Sequence, residues 1–184
     1  MTIGTAAILV LVTGLVAAAF AVGRAWLAWR RERLITCPEN DEPAAVRVDA
    51  LRAASGALTG RMQLRLSECS RWPEKQGCGQ ECLRQIEKGP AECLVRTLVA
   101  NWYADRRCVF CGRAIHDVAW AEQRPGLRAP DGRLVAWPDV APEMLPELFR
   151  THAPVCWDCL VVGRVAREHP DGITVRPARE QLYS

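Results

Sequence analysis

Two cysteine pairs set the strictest constraint on how this chain can fold: Cys108-Val109-Phe110-Cys111-Gly112 and Cys156-Trp157-Asp158-Cys159. A pair of Cys-x-x-Cys segments in one small domain suits a tetrahedral thiolate site, and sharing one ion forces the two segments to meet. Backbone N–H groups inside such a turn point at the sulfurs and stabilise their charge. Gly112 suits the positive φ that follows a knuckle of this kind. Cys108, Cys111, Cys156 and Cys159 are therefore the expected ligands of a metal site. Zn2+ is the expected ion. An iron–sulfur cluster is the alternative, because cluster ligation also uses four thiolates.

The compartment follows from the other end of the chain. Residues 3–22 contain no charged side chain and are mostly Ala, Val, Leu and Ile. At about 1.5 Å per residue they reach about 30 Å, the hydrocarbon thickness of a bilayer. Gly14 and Ala18, and likewise Ala19 and Gly23, stand four apart and would let a second helix approach closely. Trp26 and Trp29 follow at interfacial depth, and Arg24, Arg30, Arg31 and Arg33 flank the C-terminal side with no Lys or Arg before the helix. The positive-inside bias gives a single-pass cell-membrane protein, N-terminus outside and main body cytoplasmic. A cleaved signal peptide at Ala19-Phe20-Ala21 is the competing reading, but a basic n-region is missing and the apolar run is long. It would leave a periplasmic protein whose cysteines pair as disulfides; in a reducing cytoplasm they bind metal as thiolates.

Residues 1–33 are thus expected to be the anchor and juxtamembrane helix, 34–105 a cysteine-rich subdomain and 106–184 a second subdomain. The fold class is α+β, short strands and helices stapled by metal. Residues 34–36 look extended up to Cys37-Pro38, since a residue before proline is held away from the helical region. Residues 44–49 alternate as a strand, 51–58 suit a short helix closed by Gly56 or Gly60, and Met62, Leu64 and Leu66 alternate toward Cys69. Helices are expected at 80–88 and 91–105.

Five of the nine cysteines fall in this first half: Cys37, Cys69, Cys78, Cys82 and Cys93. Four of them would make a second metal site. A helix from Cys82 to Lys88 has its far end about 9 Å beyond Cys82, and Cys93 follows that end, on the wrong side to share an ion with Cys78. The preferred set is Cys37, Cys69, Cys78 and Cys82, with Cys93 a buried thiol; exchanging Cys93 for Cys37 is the alternative.

In the second half, residues 114–120 and 133–137 are strand candidates, with turns at Gly126 and Asp131-Gly132. Residues 142–150 suit a short helix with Pro142 in its first turn, and a helix follows Cys159 to about Glu168, stopped by Pro170. A knuckle ending in Cys-Gly, hairpin material and a second Cys-x-x-Cys opening a helix resemble a treble-clef zinc finger or zinc-ribbon module. The resemblance spans roughly residues 106–169 and rests on Cys108, Cys111, Gly112, Cys156 and Cys159. The long stretch between the knuckles implies an insertion. Leu160 stands where rubredoxin-type knuckles have glycine, and this departure favours structural zinc over an electron-transfer iron. Arg106, Arg107 and Arg113 flank the first knuckle and suit a thiolate site that carries net negative charge. His116 and His152 lie near the knuckles and are expected to be polar surface groups rather than ligands.

Familiar catalytic signatures are missing: no His-Glu-x-x-His, Gly-x-Ser-x-Gly or phosphate-binding glycine loop occurs. Four cysteines close a zinc site, whereas catalytic zinc keeps a position open. The net charge of only +3, with acidic residues interleaved among the arginines, argues against nucleic acid as a partner. The seven tryptophans suit core and contact anchors. The expectation is a non-catalytic, membrane-anchored accessory or assembly subunit of a larger membrane protein complex, its partners being other subunits and the lipid bilayer. An electron-transfer subunit is the alternative.

Overall fold

Helix α1 occupies Ile3–Trp29, and the stretch Ala7–Trp29 is long and apolar enough to cross a membrane by length and composition. The computed structural model describes residues 3–59, 63–72, 74–75, 77–116 and 118–169. Met62 and Gly60, expected near the start of a strand and the end of a helix, and Pro170, expected to stop the last helix, lie outside them. The large side chains from Ile8 to Phe20 are exposed, as lipid-facing residues of an anchor would be. Ala18, Val22, Ala25 and Trp29 are half-buried on one face at helical spacing, and α1 packs against α2 (Ala50–Thr59).

The end of α1 has a specific cause. Arg33 is buried, and its guanidinium donates to the carbonyls of Ala28 at 2.9 Å, Trp29 at 3.1 Å and Arg31 at 2.8 Å. A helix leaves its last carbonyls unsatisfied, and this side chain supplies their donors. It also stacks over the Trp29 ring at 4.8 Å. Burial lowers the Arg33 pKa from its ordinary value, with the neighbouring Cys93 thiol acting in the opposite direction. The helix therefore stops at Trp29 rather than running on to residue 33.

The chain forms two compact units, residues 1–99 with 141–146, and residues 100–140 with 147–184. The division falls inside α4 (Val95–Tyr103) rather than at 105/106, and the 3-10 turn Pro142–Met144 returns to the first unit, packing against the strand Pro43–Val48. The physical reason lies in α4's side chains: Trp102 and Tyr103 form an aromatic cluster with Trp137 and Phe149 of the second unit.

The first unit holds an antiparallel sheet in the order β1-β2-β3, with β1 Arg33–Thr36, β2 Pro43–Val48 and β3 Leu66–Cys69. Ile35 faces Ala44, and Val46 faces Cys69. The free edge of β1 is met by the segment before α4, Leu34 N–H donating to the Cys93 carbonyl at 2.8 Å. Val46, Val48, Ile35 and Leu66 from the sheet, Ala53 from α2 and Ile86 from α3 (Leu83–Lys88) make the core. Each fully buried aliphatic side chain there contributes roughly 1.5–3 kcal/mol. The third strand opens at Leu66, and α3 begins only at Leu83, so Cys82 precedes the helix and Cys78 lies outside it.

The second unit is built on a small antiparallel sheet in the order β5-β4-β6: β4 Gly126–Arg128, β5 Leu134–Val135 and β6 Ala153–Val155. Helix α5 spans Leu145–Thr151 and α6 Trp157–Glu168. Leu127, Val155, Leu160 and Tyr103 are buried. Two expectations are corrected here. Gly126 lies in a strand, not a turn, because a Cβ there would meet Leu160 Cδ1 at 2.7 Å and the Val135 carbonyl at 2.9 Å; only glycine lets α6 lie this close to the sheet. Residues 114–120 make no named strand among the described residues but isolated bridges, Ala114 with Arg107 and Ala119 with Gln123. Residue 117 lies outside the description.

Candidate metal centre

Arg107 and Ala114 pair as an antiparallel bridge, and the first knuckle is the loop they close. Gly112 N–H donates to the Cys108 carbonyl at 2.9 Å, Cys108 N–H to Arg113 at 2.9 Å and Ile115 N–H to Arg106 at 3.0 Å. Gly112 has φ +69, the left-handed backbone that a side chain would strain. The second knuckle is the start of α6. Cys156 is extended, with φ −69 and ψ 162, and makes no side-chain cap bond, which leaves its sulfur free for another partner. Cys159 lies in the first turn of α6, and Leu160 N–H returns to the Cys156 carbonyl at 3.0 Å.

These two turns bring the sulfurs of Cys108, Cys111, Cys156 and Cys159 within 4.8 Å of one another. Cys111 Sγ and Cys156 Sγ are 3.7 Å apart. An ion with about 2.3 Å bonds to four sulfurs in a tetrahedron places them about 3.8 Å apart. The group therefore has the dimensions of a one-ion site, and the donor set is that of a soft metal. A polynuclear cluster would push its cysteine sulfurs further apart, because iron and sulfide stand between them. Cys108 is buried, Cys156 buried, Cys159 half-buried and Cys111 exposed.

The electrostatics fit a cation. Burial disfavours the Cys108 thiolate, yet backbone N–H groups of Cys156, Cys111 and Phe110, with help from the Cys156 thiol, bring its pKa down to about 6. Burial raises Cys156 and Cys159, and for Cys159 the Cys156, Cys111 and Cys108 thiols add to the rise. One thiolate is thus favoured beside two neighbours, Cys156 and Cys159, that resist ionising, and a divalent cation would relieve that resistance.

The flanking charges divide. Arg113 pairs with Asp158 from the second knuckle, a bond that also raises the Arg113 pKa. Arg107 donates to the Gly112 carbonyl at 3.2 Å. Arg106 instead stacks over Trp102 at 4.4 Å. Asp158 was not singled out from sequence, although its place inside the second knuckle opposite a basic neighbour of the first is the signal that could have found it. His152 bonds to Thr151 and His116 lies outside the sulfur group.

In the first unit, Cys37, Cys69, Cys78 and Cys82 all line one cavity of about 210 Å³. Among the described residues, the close-packed sulfur group is the one in the second unit; the first-unit cysteines surround open space. Burial, then the nearby Cys69, Cys78 and Cys37 thiols, push Cys82 up to about 11. Cys93 sits elsewhere, its thiol donating to the Gly89 carbonyl at 3.3 Å beside Arg33. No family model, curated protein or solved structure matches the chain.

Proposed function

We propose that this chain is a membrane-anchored accessory or assembly subunit of a larger membrane protein complex, its body held in shape by structural zinc. The observation that carries the reading is the closed, all-sulfur character of the Cys108, Cys111, Cys156 and Cys159 group. Four protein ligands leave a zinc ion no position for water or substrate, whereas catalytic zinc has three and an open site. The group then acts as a staple, and its binding free energy becomes folding free energy of the second unit.

Two surface features support docking rather than chemistry. Val109 and Phe110 at the tip of the first knuckle are 46% and 54% exposed, and Trp157 in the second is 37% exposed. Aromatic and aliphatic side chains on a rigid, metal-held tip are suited to a protein contact. The α1 helix supplies the membrane anchor, with its N-terminus outside and the cysteine-bearing body in the reducing cytoplasm, where thiolates persist.

Native gel analysis of membranes solubilised in mild detergent tests this. The full chain is expected to stay with the membrane after an alkaline wash and to migrate in an assembly larger than itself. The Cys108→Ser/Cys111→Ser variant is expected to leave that assembly while remaining in the membrane. A chain washed off by alkali, or migrating alone, would overturn the reading. Visible absorption of anaerobically purified protein separates the electron-transfer alternative: the zinc protein is colourless.

A further inference from the structure

The cavity in the first unit brings together four cysteines that come from four different places in the fold. Cys37 immediately follows β1, Cys69 ends β3, Cys78 lies in the loop after β3 and Cys82 immediately precedes α3. All four line the same cavity of about 210 Å³. We propose that Cys37, Cys69, Cys78 and Cys82 form a second tetrathiolate centre, which takes one soft divalent ion of the zinc class and staples the first unit independently of the second.

Two observations support it. Three of the four cysteines each open a hydrogen-bonded backbone turn. Asp41 N–H donates to the Cys37 carbonyl at 2.9 Å, Trp72 N–H to that of Cys69 at 3.1 Å and Gln85 N–H to that of Cys82 at 3.0 Å. Gln80, between Cys78 and Cys82, has φ +55, the left-handed conformation that makes a tight loop between two nearby ligands. The cavity wall is fixed: Ile35, Ala44 and Leu66 belong to the core, and Cys37, Cys69 and Trp72 pack against it while Cys82 is part of it. The lining carries both signs of charge, Arg71 and Lys75 with Glu39 and Glu81, and the two cations are paired, Arg71 with Glu42 and Lys75 with Glu39, each at 2.8 Å. Cys93 does not line the cavity, and its sulfur is engaged at Gly89. Beyond α1, short helices, a three-stranded sheet and one small core make a unit of the size that gains most from a metal.

Holding an ion requires the four sulfurs to close on it from the wall of the cavity that they all line. The ligands lose their thiol protons to solvent as the metal–sulfur bonds form, and no oxidant or reductant is involved.

The test is zinc content of the full chain, purified anaerobically in detergent, beside two variants. Wild type is expected to hold two zinc ions. Cys78→Ser/Cys82→Ser is expected to lose one and keep the other, and Cys108→Ser/Cys111→Ser to do the same at the opposite site. Cobalt titration of the metal-free chain provides a second readout, because tetrathiolate cobalt has an intense sulfur-to-metal absorption that Cys78→Ser/Cys82→Ser would halve. A single zinc that is lost only in Cys108→Ser/Cys111→Ser would overturn this proposal while leaving the first centre standing. A Cys78–Cys82 variant with unchanged metal, a disulfide among these four cysteines in the native chain, or a brown chromophore lost with Cys78 and Cys82 would each overturn it as well.

Discussion

The Val109 N–H donates to the Pro154 carbonyl at 2.9 Å, so backbone bonding joins the first cysteine pair to the strand that leads into the second. One such bond is too weak to hold two turns together in water, with a net worth of about 1 kcal/mol. On the proposed reading an ion shared by the two cysteine pairs makes it persistent. Hydrogen exchange should therefore report metal at this amide. In Cys108→Ser/Cys111→Ser, exchange at Val109 is expected to accelerate on the order of a hundredfold. The Leu34 amide, bonded to Cys93 in the other unit, is expected to keep its protection. Equal acceleration at both amides would contradict independent units.

The Tyr103 hydroxyl donates to the Gly126 carbonyl at 2.6 Å, and both groups are buried. Tyr103→Phe leaves that carbonyl without its donor and should cost about 1–3 kcal/mol, read by denaturant unfolding. Burial also raises the Tyr103 pKa strongly. The folded chain then keeps this proton at pH values where an unfolded tyrosine, with a pKa of about 10, has lost it. Stability from this group is complete below about pH 10 and declines as pH rises above it. Tyr103→Phe should flatten that alkaline decline; an identical decline in both proteins would remove Tyr103 from the account.

Gly126→Ala places a methyl group 2.7 Å from Leu160 Cδ1 and 2.9 Å from the Val135 carbonyl. The leucine can turn away but the Val135 carbonyl is backbone, so the β4–β5 pairing must give while Leu160, the neighbour of Cys159, repacks. The expected cost is about 1–3 kcal/mol together with weaker zinc retention against a chelator. Adding Leu160→Ala relieves part of the clash, so the double variant should be less destabilised than the sum of the singles. Strict additivity would show that the close approach carries no strain.

Arg33→Met keeps an apolar stem but removes the donors to Ala28, Trp29 and Arg31. Hydrogen bonds from a charged donor are worth about 1.5–3 kcal/mol, so thermal unfolding in detergent should show a loss of that order. The last turn of α1 is expected to exchange its amide hydrogens faster. No change at residues 29–31 would mean that the helix end is held by something else.

Much of this was legible because periodicity and chemistry coincided. Residues 3–22 read as a helix from composition alone. The alternation Val46-Arg47-Val48 marked β2, and the cysteine spacing marked the group that meets at Cys108 and Cys156. What escaped were features decided by tertiary contact. Gly126 reads as a turn locally and becomes a strand because Leu160 and Val135 crowd it. Arg33 reads as one more membrane-flanking arginine, yet it is buried as a helix cap. The boundary at Val99/Ala100 depends on where Trp102 and Tyr103 find aromatic partners, which no window of sequence contains.

The central claim is that Cys108, Cys111, Cys156 and Cys159 hold one structural zinc ion. Zinc analysis of the full chain, purified anaerobically in detergent, as wild type and as Cys108→Ser/Cys111→Ser tests it most directly. The variant should carry one zinc fewer per chain than wild type and lose the cooperative unfolding transition of the second unit. A zinc content unchanged by the substitution would contradict the claim.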